Sequence, residues 1–203
     1  PISLALATAL AGLATAPCAH AAEAPQAKAA KPAKPWALNL RYRHESVDDD
    51  AFARNAEADT LRLRASFNHR FSPSLTAQVE AEGVAELNDR FNSTANGQTA
   101  YPVVPDARAL EINQAWLDWA GDKAGARIGR QAIVLDNARF IGNVAWRQNM
   151  QTFDAAQVRW KPNKALEVQA IYLDRVHRVN GDEARDPLAR ERRLKSPLLR
   201  VSH

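Results

Sequence analysis

Apolar and polar side chains alternate in short runs along residues 36–203, and the runs come in pairs joined by very short turns. Trp36, Leu38, Leu40 and Tyr42 share one parity and Asn39, Arg41, Arg43 and Glu45 the other, which predicts a strand with one apolar face from Trp36 to about Glu45. A second strand, Thr60 to Phe71, sets Leu61, Leu63, Ala65, Phe67 and Phe71 against Arg62, Arg64, Ser66, Asn68 and Arg70. Beyond Ser72-Pro73-Ser74, a third sets Leu75, Ala77, Val79 and Ala81 against Thr76, Gln78, Glu80 and Glu82. Strands four (about Leu110 to Ala120) and five (Ala124 to about Ile133) meet at Asp122-Lys123. Strands six (Phe153 to Lys161) and seven (Ala165 to about Asp174) meet at Pro162-Asn163-Lys164, and an eighth starts at Pro197. Long polar segments, 46–59, 87–109, 134–152 and 175–196, separate the pairs. Tight turns alternating with long loops are the rhythm of a transmembrane antiparallel β-barrel, so the fold class predicted is all-β.

Matching apolar faces across each tight turn sets a register. In the first hairpin Phe71 then opposes Leu75, Phe67 opposes Val79 and Arg64 opposes Glu82. In the second, Leu117 meets Ile128, Trp119 meets Ala126, Asp118 meets Arg127, and Trp116 covers Gly129. Centring the third on Asn163 sets Trp160 against Leu166, Val158 against Val168 and Arg159 against Glu167. Each tight hairpin therefore carries an Arg–carboxylate pair on its polar face, worth about 0.2–1 kcal/mol. Arg64, Arg127 and Arg159 read first as wall salt bridges to Glu82, Asp118 and Glu167, whereas Arg41, Arg43, Arg62 and Arg70 have no assigned partner. Arg130 shares the parity of Ile128, where charge costs roughly 2–4 kcal/mol in the lipid. Either a bulge near Gly129 turns it inward or it lies at the outer interface; the bulge is the expectation.

Two soluble readings compete: a sandwich, or a lipocalin-like barrel with its apolar face inward. Against both, Trp36, Tyr42, Trp119, Trp160 and Tyr172 lie near strand ends on the apolar parity, and arginine recurs at mid-strand on the other. A water-filled lumen tolerates that arginine better than a packed core does. Mean hydropathy of −0.42 does not oppose a membrane location, because alternation keeps any one barrel strand from registering as a span. The net charge of +4 is gathered into no basic patch, helix or Gly-rich loop, so nucleic acid is not an expected partner.

Ile2 to Ala16 is apolar and leads into Ala19-His20-Ala21, so residues 1–21 read as a secretory signal peptide cleaved after Ala21. The sole cysteine, Cys18, lies inside it, and the mature chain then has neither disulfide nor thiolate metal site. Residues 22–35, rich in Ala, Pro and Lys, read as a flexible periplasmic linker before a partial barrel at 36–203.

The run from Ile128 to Ala155, with Glu111-Ile-Asn-Gln-Ala-Trp-Leu-Asp-Trp and Tyr172-Leu-Asp-Arg-Val-His-Arg, resembles the alginate export family of outer-membrane barrels. The resemblance implies a larger barrel, of which this chain supplies an N-terminal fragment of about eight strands, inserted into outer-membrane lipid by the barrel-assembly machinery. It also implies an electropositive pore passing anionic solutes or an anionic polysaccharide such as alginate. Neither a cofactor nor a metal is expected. Arg41, Arg43, Arg62, Arg64, Arg70, Arg127, Arg130 and Arg159 are the candidate pore-lining residues, with Glu82, Asp118 and Glu167 as their salt-bridge partners. The segment 134–152 carries Arg139, Asn143, Trp146, Arg147 and Gln148 and reads equally as an inward constriction or an ordinary extracellular loop. An outer-membrane enzyme and an adhesin or structural barrel are the competing classes. Against the enzyme, His44, His69, His177 and His203 have no Ser or Asp at a spacing that suggests a triad.

Overall fold

The structure is a computed structural model, and it describes residues 34–203. The expected signal peptide, Cys18 and most of the linker lie outside the described residues. The described chain is one antiparallel meander, and its eight strands lie in sheet order as they do in sequence. They are β1 Trp36–Val47, β2 Ala56–Ser72, β3 Leu75–Glu86, β4 Ala109–Ala120, β5 Ala124–Gln131, β6 Thr152–Trp160, β7 Glu167–His177 and β8 Glu191–Ser202. A single helical turn, α1 Pro187–Arg190, capped by Asp186, interrupts the last long loop. Among the described residues the sheet stays open, with β1 and β8 as its edges.

The two faces are inverted relative to a soluble sheet. Leu40 is 67% exposed and Leu199 72%, while Arg62 is 5% and Glu82 0% exposed. Strands that hold alternate residues on opposite faces, with the apolar set outward, suit a wall whose outer surface meets lipid and whose inner surface carries the polar groups. Trp36, Phe71, Trp119 and Trp160, near one end of their strands, are exposed on that outer face; Tyr42 and Tyr172 are exposed there too, but near the middle of β1 and β7 and not at the strand ends expected, because both strands run farther than the alternation alone marked. Both soluble readings need the opposite arrangement.

Register agrees with the parity argument where turns are tight. Phe67 opposes Val79 and Arg64 opposes Glu82. Leu117 opposes Ile128, Trp119 opposes Ala126, Asp118 opposes Arg127 and Trp116 opposes Gly129. Three expectations are corrected. Leu75 pairs with Ser72, because a shift between Arg70 and Ser72 leaves Phe71 out of the ladder. The third hairpin slips by two residues, so that Trp160 pairs with Val168, Val158 with Ala170 and Arg159 with Gln169. Its turn is longer than drawn, since the Asn163 side chain accepts from the Ala165 and Leu166 amides and holds both residues outside the strand. The slip of two conserves parity, as a buried face demands.

The third correction concerns Gly129. Pairing on both sides of it runs unbroken, so no bulge occurs there. Glycine is required instead by backbone geometry: φ is +117°, and a Cβ would collide with the Ala115 carbonyl oxygen and the Trp116 Cα. The Trp116 indole itself lies under the Arg127 guanidinium, 4.1 Å from its ring centre.

Candidate functional site

Two of the long loops fold over the inner face, because patches of that face are apolar. On β2 the inner parity begins with Ala56 and Ala58, small enough to seat Phe91 and Val104 from the loop at 87–108, with Val47 and Tyr101 alongside. On β6 and β7 the inner parity includes Phe153, Ala155, Ile171 and Leu173, which with Val176 pack against Ile133 and, at the margin, Leu135 and Ile141. The chain leaving β5 is thus drawn inward by apolar burial. Three buried glutamines span the wall beside this patch: Gln169 donates to Gln157 at 2.6 Å and Gln157 to Gln131 at 2.5 Å. In the loop at 178–190, the Arg185 amide donates to the Thr94 carbonyl.

Beyond Ile141 the loop crosses to β1 and β2, where its backbone meets the arginines. Arg41 donates to the Gln148 side chain at 2.9 Å and to the carbonyls of Ala145 and Arg147. Arg43 donates to the Trp146 carbonyl, pairs with Glu45, and lies 3.2 Å from Asp106. Arg62 reaches the Asn39 side chain at 2.5 Å and the Gln148 carbonyl at 3.4 Å. Arg64 pairs with fully buried Glu82 and reaches the same carbonyl at 3.3 Å. Arg147 adds a further guanidinium, bonded to Glu45 at 2.9 Å and stacked 4.0 Å from the Trp146 ring centre. Burial pulls the Arg147 guanidinium below its ordinary pKa, while Asp106 and Glu45 oppose the shift.

A second group lines the inner face nearer the tight turns. Asp118 accepts from Arg127 at 2.8 Å and from Arg159 at 3.0 Å, so two guanidiniums share one carboxylate. The expected Arg159–Glu167 pair is absent: the register slip moves Glu167 away, and it takes Lys161 at 2.7 Å. Arg70 turns back onto the Ser72 and Pro73 carbonyls at 3.1 and 2.7 Å.

Arg130 stands apart from the other arginines. It keeps register with Ala115 and Asp154, on the parity of the outward residues, and pairs with Asp154 at 2.9 Å. An ion pair therefore offsets its charge, not the expected inward turn. His177 binds the other oxygen of Asp154 at 2.8 Å. His44 likewise meets Asp59 at 2.9 Å, a carboxylate shared with the Tyr42 hydroxyl at 2.5 Å.

Of the candidate loop residues, Trp146, Arg147 and Gln148 reach the arginine cluster. Asn143 stays within the loop, 3.8 Å from the Met150 sulfur, and Arg139 is exposed beside Phe140. Asn39, Thr60 and Asp106 also belong to the cluster, although the sequence marks none of them as a site residue. Asp106, fully buried, accepts from the Gln148 amide at 2.9 Å. Nothing in the pattern around Pro105-Asp106 marks it, because only the docking of two loops brings it to β1.

An open, twice-lined wall with lipid-type residues outside, arginines inside and a loop folded across them defines a porin-like outer-membrane β-barrel. The alginate export family model matches residues 34–189, and the chain belongs to that family. Among solved structures it is similar to a BenF-like porin from Pseudomonas fluorescens Pf-5, with a TM-score of 0.51 and 14% identity over 71% of this chain. The match covers 38% of the porin's own length, so the chain spans well under half of that barrel. No curated protein matches the sequence.

Proposed function

We propose that the protein is an outer-membrane channel that lets anionic solutes, including carboxylated polysaccharide, diffuse along an arginine-lined lumen. One observation carries this reading. Arg41, Arg43, Arg62, Arg64 and Arg147 gather where the inward loop meets the wall, against Glu45, Glu82 and Asp106, leaving positive charge in excess at that level. Fixed positive charge in a water-filled constriction raises the local anion concentration, and neighbouring carboxylates keep any one seat from holding the solute too tightly. Arg127, Arg159 and Arg70 extend the same polarity along the inner face. The loop at 132–151 narrows the path in this reading, and anchoring in the lipid falls to the outward apolar set.

The test is the reversal potential of the full-length protein in a planar bilayer under a KCl gradient. A potential displaced toward the chloride equilibrium value, moved back by Arg41→Glu with Arg62→Glu, is the expected result. A cation-selective or unselective wild type contradicts the proposal.

A further inference from the structure

We infer that Gln148 is the positioning residue of this channel, the side chain that holds the inward loop against the wall and thereby sets how many guanidinium N–H groups face the lumen. The inference rests on the channel reading above and adds to it a device. Gln148 is fully buried, and its side chain and its own backbone groups are all engaged. Its Nε2 donates to the Thr60 hydroxyl at 2.9 Å and the Thr60 carbonyl at 3.2 Å, while its Oε1 accepts from Arg41 at 2.9 Å. Its backbone amide donates to Asp106, and its carbonyl oxygen accepts from Arg62 and Arg64. One residue therefore ties β1, β2 and the loop at 87–108 to the loop at 132–151.

Its neighbours are held differently. Trp146 is 58% exposed, with Arg43 and Arg147 beside its ring, and Asn149 leaves its Oδ1 buried without a partner. Only Gln148 joins its side-chain amide to the ladder of β2 itself, and a buried amide with every group satisfied fixes one geometry, because any displacement strands several groups at once.

The consequence is chemical. The carbonyl oxygens of Ala145, Trp146, Arg147 and Gln148 occupy N–H groups of Arg41, Arg43, Arg62 and Arg64 that an anionic solute needs. While the Gln148 side chain is seated, those carbonyls act as partial counter-charges. When it is not, the same guanidiniums turn to the lumen and the opening widens.

Gln148→Ala in the full-length protein tests this in planar bilayers, with Thr60→Val, which removes the hydroxyl that accepts from Gln148 and its long bond to the Arg43 carbonyl at 3.5 Å but keeps the Thr60 carbonyl, as a milder second variant. Barrel assembly is checked by the gel shift between unheated and heated samples. The expected result is a higher single-channel conductance and a reversal potential moved further toward chloride in Gln148→Ala, with a smaller move the same way in Thr60→Val. A purely structural role lowers the unfolding temperature and leaves the reversal potential where it was; an assembled Gln148→Ala with unchanged permeation overturns the inference. If Gln148→Ala does not assemble, Thr60→Val decides alone on the same two readouts. A wild type without anion preference whose Gln148→Ala variant still gains conductance sinks the anion-channel reading and leaves the positioning role standing.

Discussion

Glu82 is fully buried beside Arg64, and this pair is the most exacting arrangement in the inner wall. Removing one member of a buried ion pair leaves a charge without compensation, a loss of about 3–5 kcal/mol. Glu82→Gln should therefore lower the urea midpoint of barrel unfolding and, by freeing Arg64, move the reversal potential toward chloride. An unchanged midpoint would argue that water reaches Arg64 freely. Gly129→Ala tests a different physics, since φ of +117° places the new Cβ against the Ala115 carbonyl. The strain expected is about 1–3 kcal/mol, read in the same unfolding assay. Two pairs, Arg64 with Glu82 and Asp118 with Arg127, were legible from parity and turn length alone, because a tight turn leaves the register little freedom. Arg159 was misassigned for the complementary reason: Asn163 lengthens its turn by binding two following amides, and a slip of two keeps the parity that the argument relied on.

Among the elements, the strands were readable and the loop placements were not. Alternation names a strand and its faces, but it does not say whether the following polar segment leans out or in. A signal was nonetheless present. The inner parity of β7 begins with Glu167 and Gln169 and turns apolar at Ile171 and Leu173, while that of β2 opens with Ala56 and Ala58. Apolar residues on the wet face of a barrel strand need a cover, and these two patches are where Ile133 and Phe91 dock. Phe91→Ala should undock the loop at 87–108, with a loss of about 3–5 kcal/mol of local stability. Limited proteolysis of the folded barrel would then cut within that loop, and equal resistance in wild type and variant would contradict the docking. Arg41, Arg43 and Arg62 have no partner legible in the sequence for the same reason, since most of the atoms that satisfy them are carbonyls and a glutamine far along the chain in the inward loop, or a carboxylate in the loop before it. Arg62 lies closer in sequence to Gln148, yet no local pattern links the two.

Across the described residues, one exchange of faces accounts for the architecture: apolar side chains outward and a mostly polar face inward over eight strands in simple order. That exchange is written in the period of two, which is why the class of fold was within reach of the sequence, whereas the family was read from particular runs such as Ile128 to Ala155. The lumen's character depends on long-range docking and was only partly within reach. In the proposed channel several guanidiniums share one level of the wall, so selectivity would be collective: no single arginine should abolish it, whereas reversing two at the loop should. The most direct measurement is the reversal potential of the full-length protein under a KCl gradient, compared with Arg41→Glu combined with Arg62→Glu. The account predicts a wild-type potential displaced toward the chloride equilibrium value and a clear displacement toward potassium in the double variant. Wild type and variant giving the same potential would contradict an arginine-governed lumen.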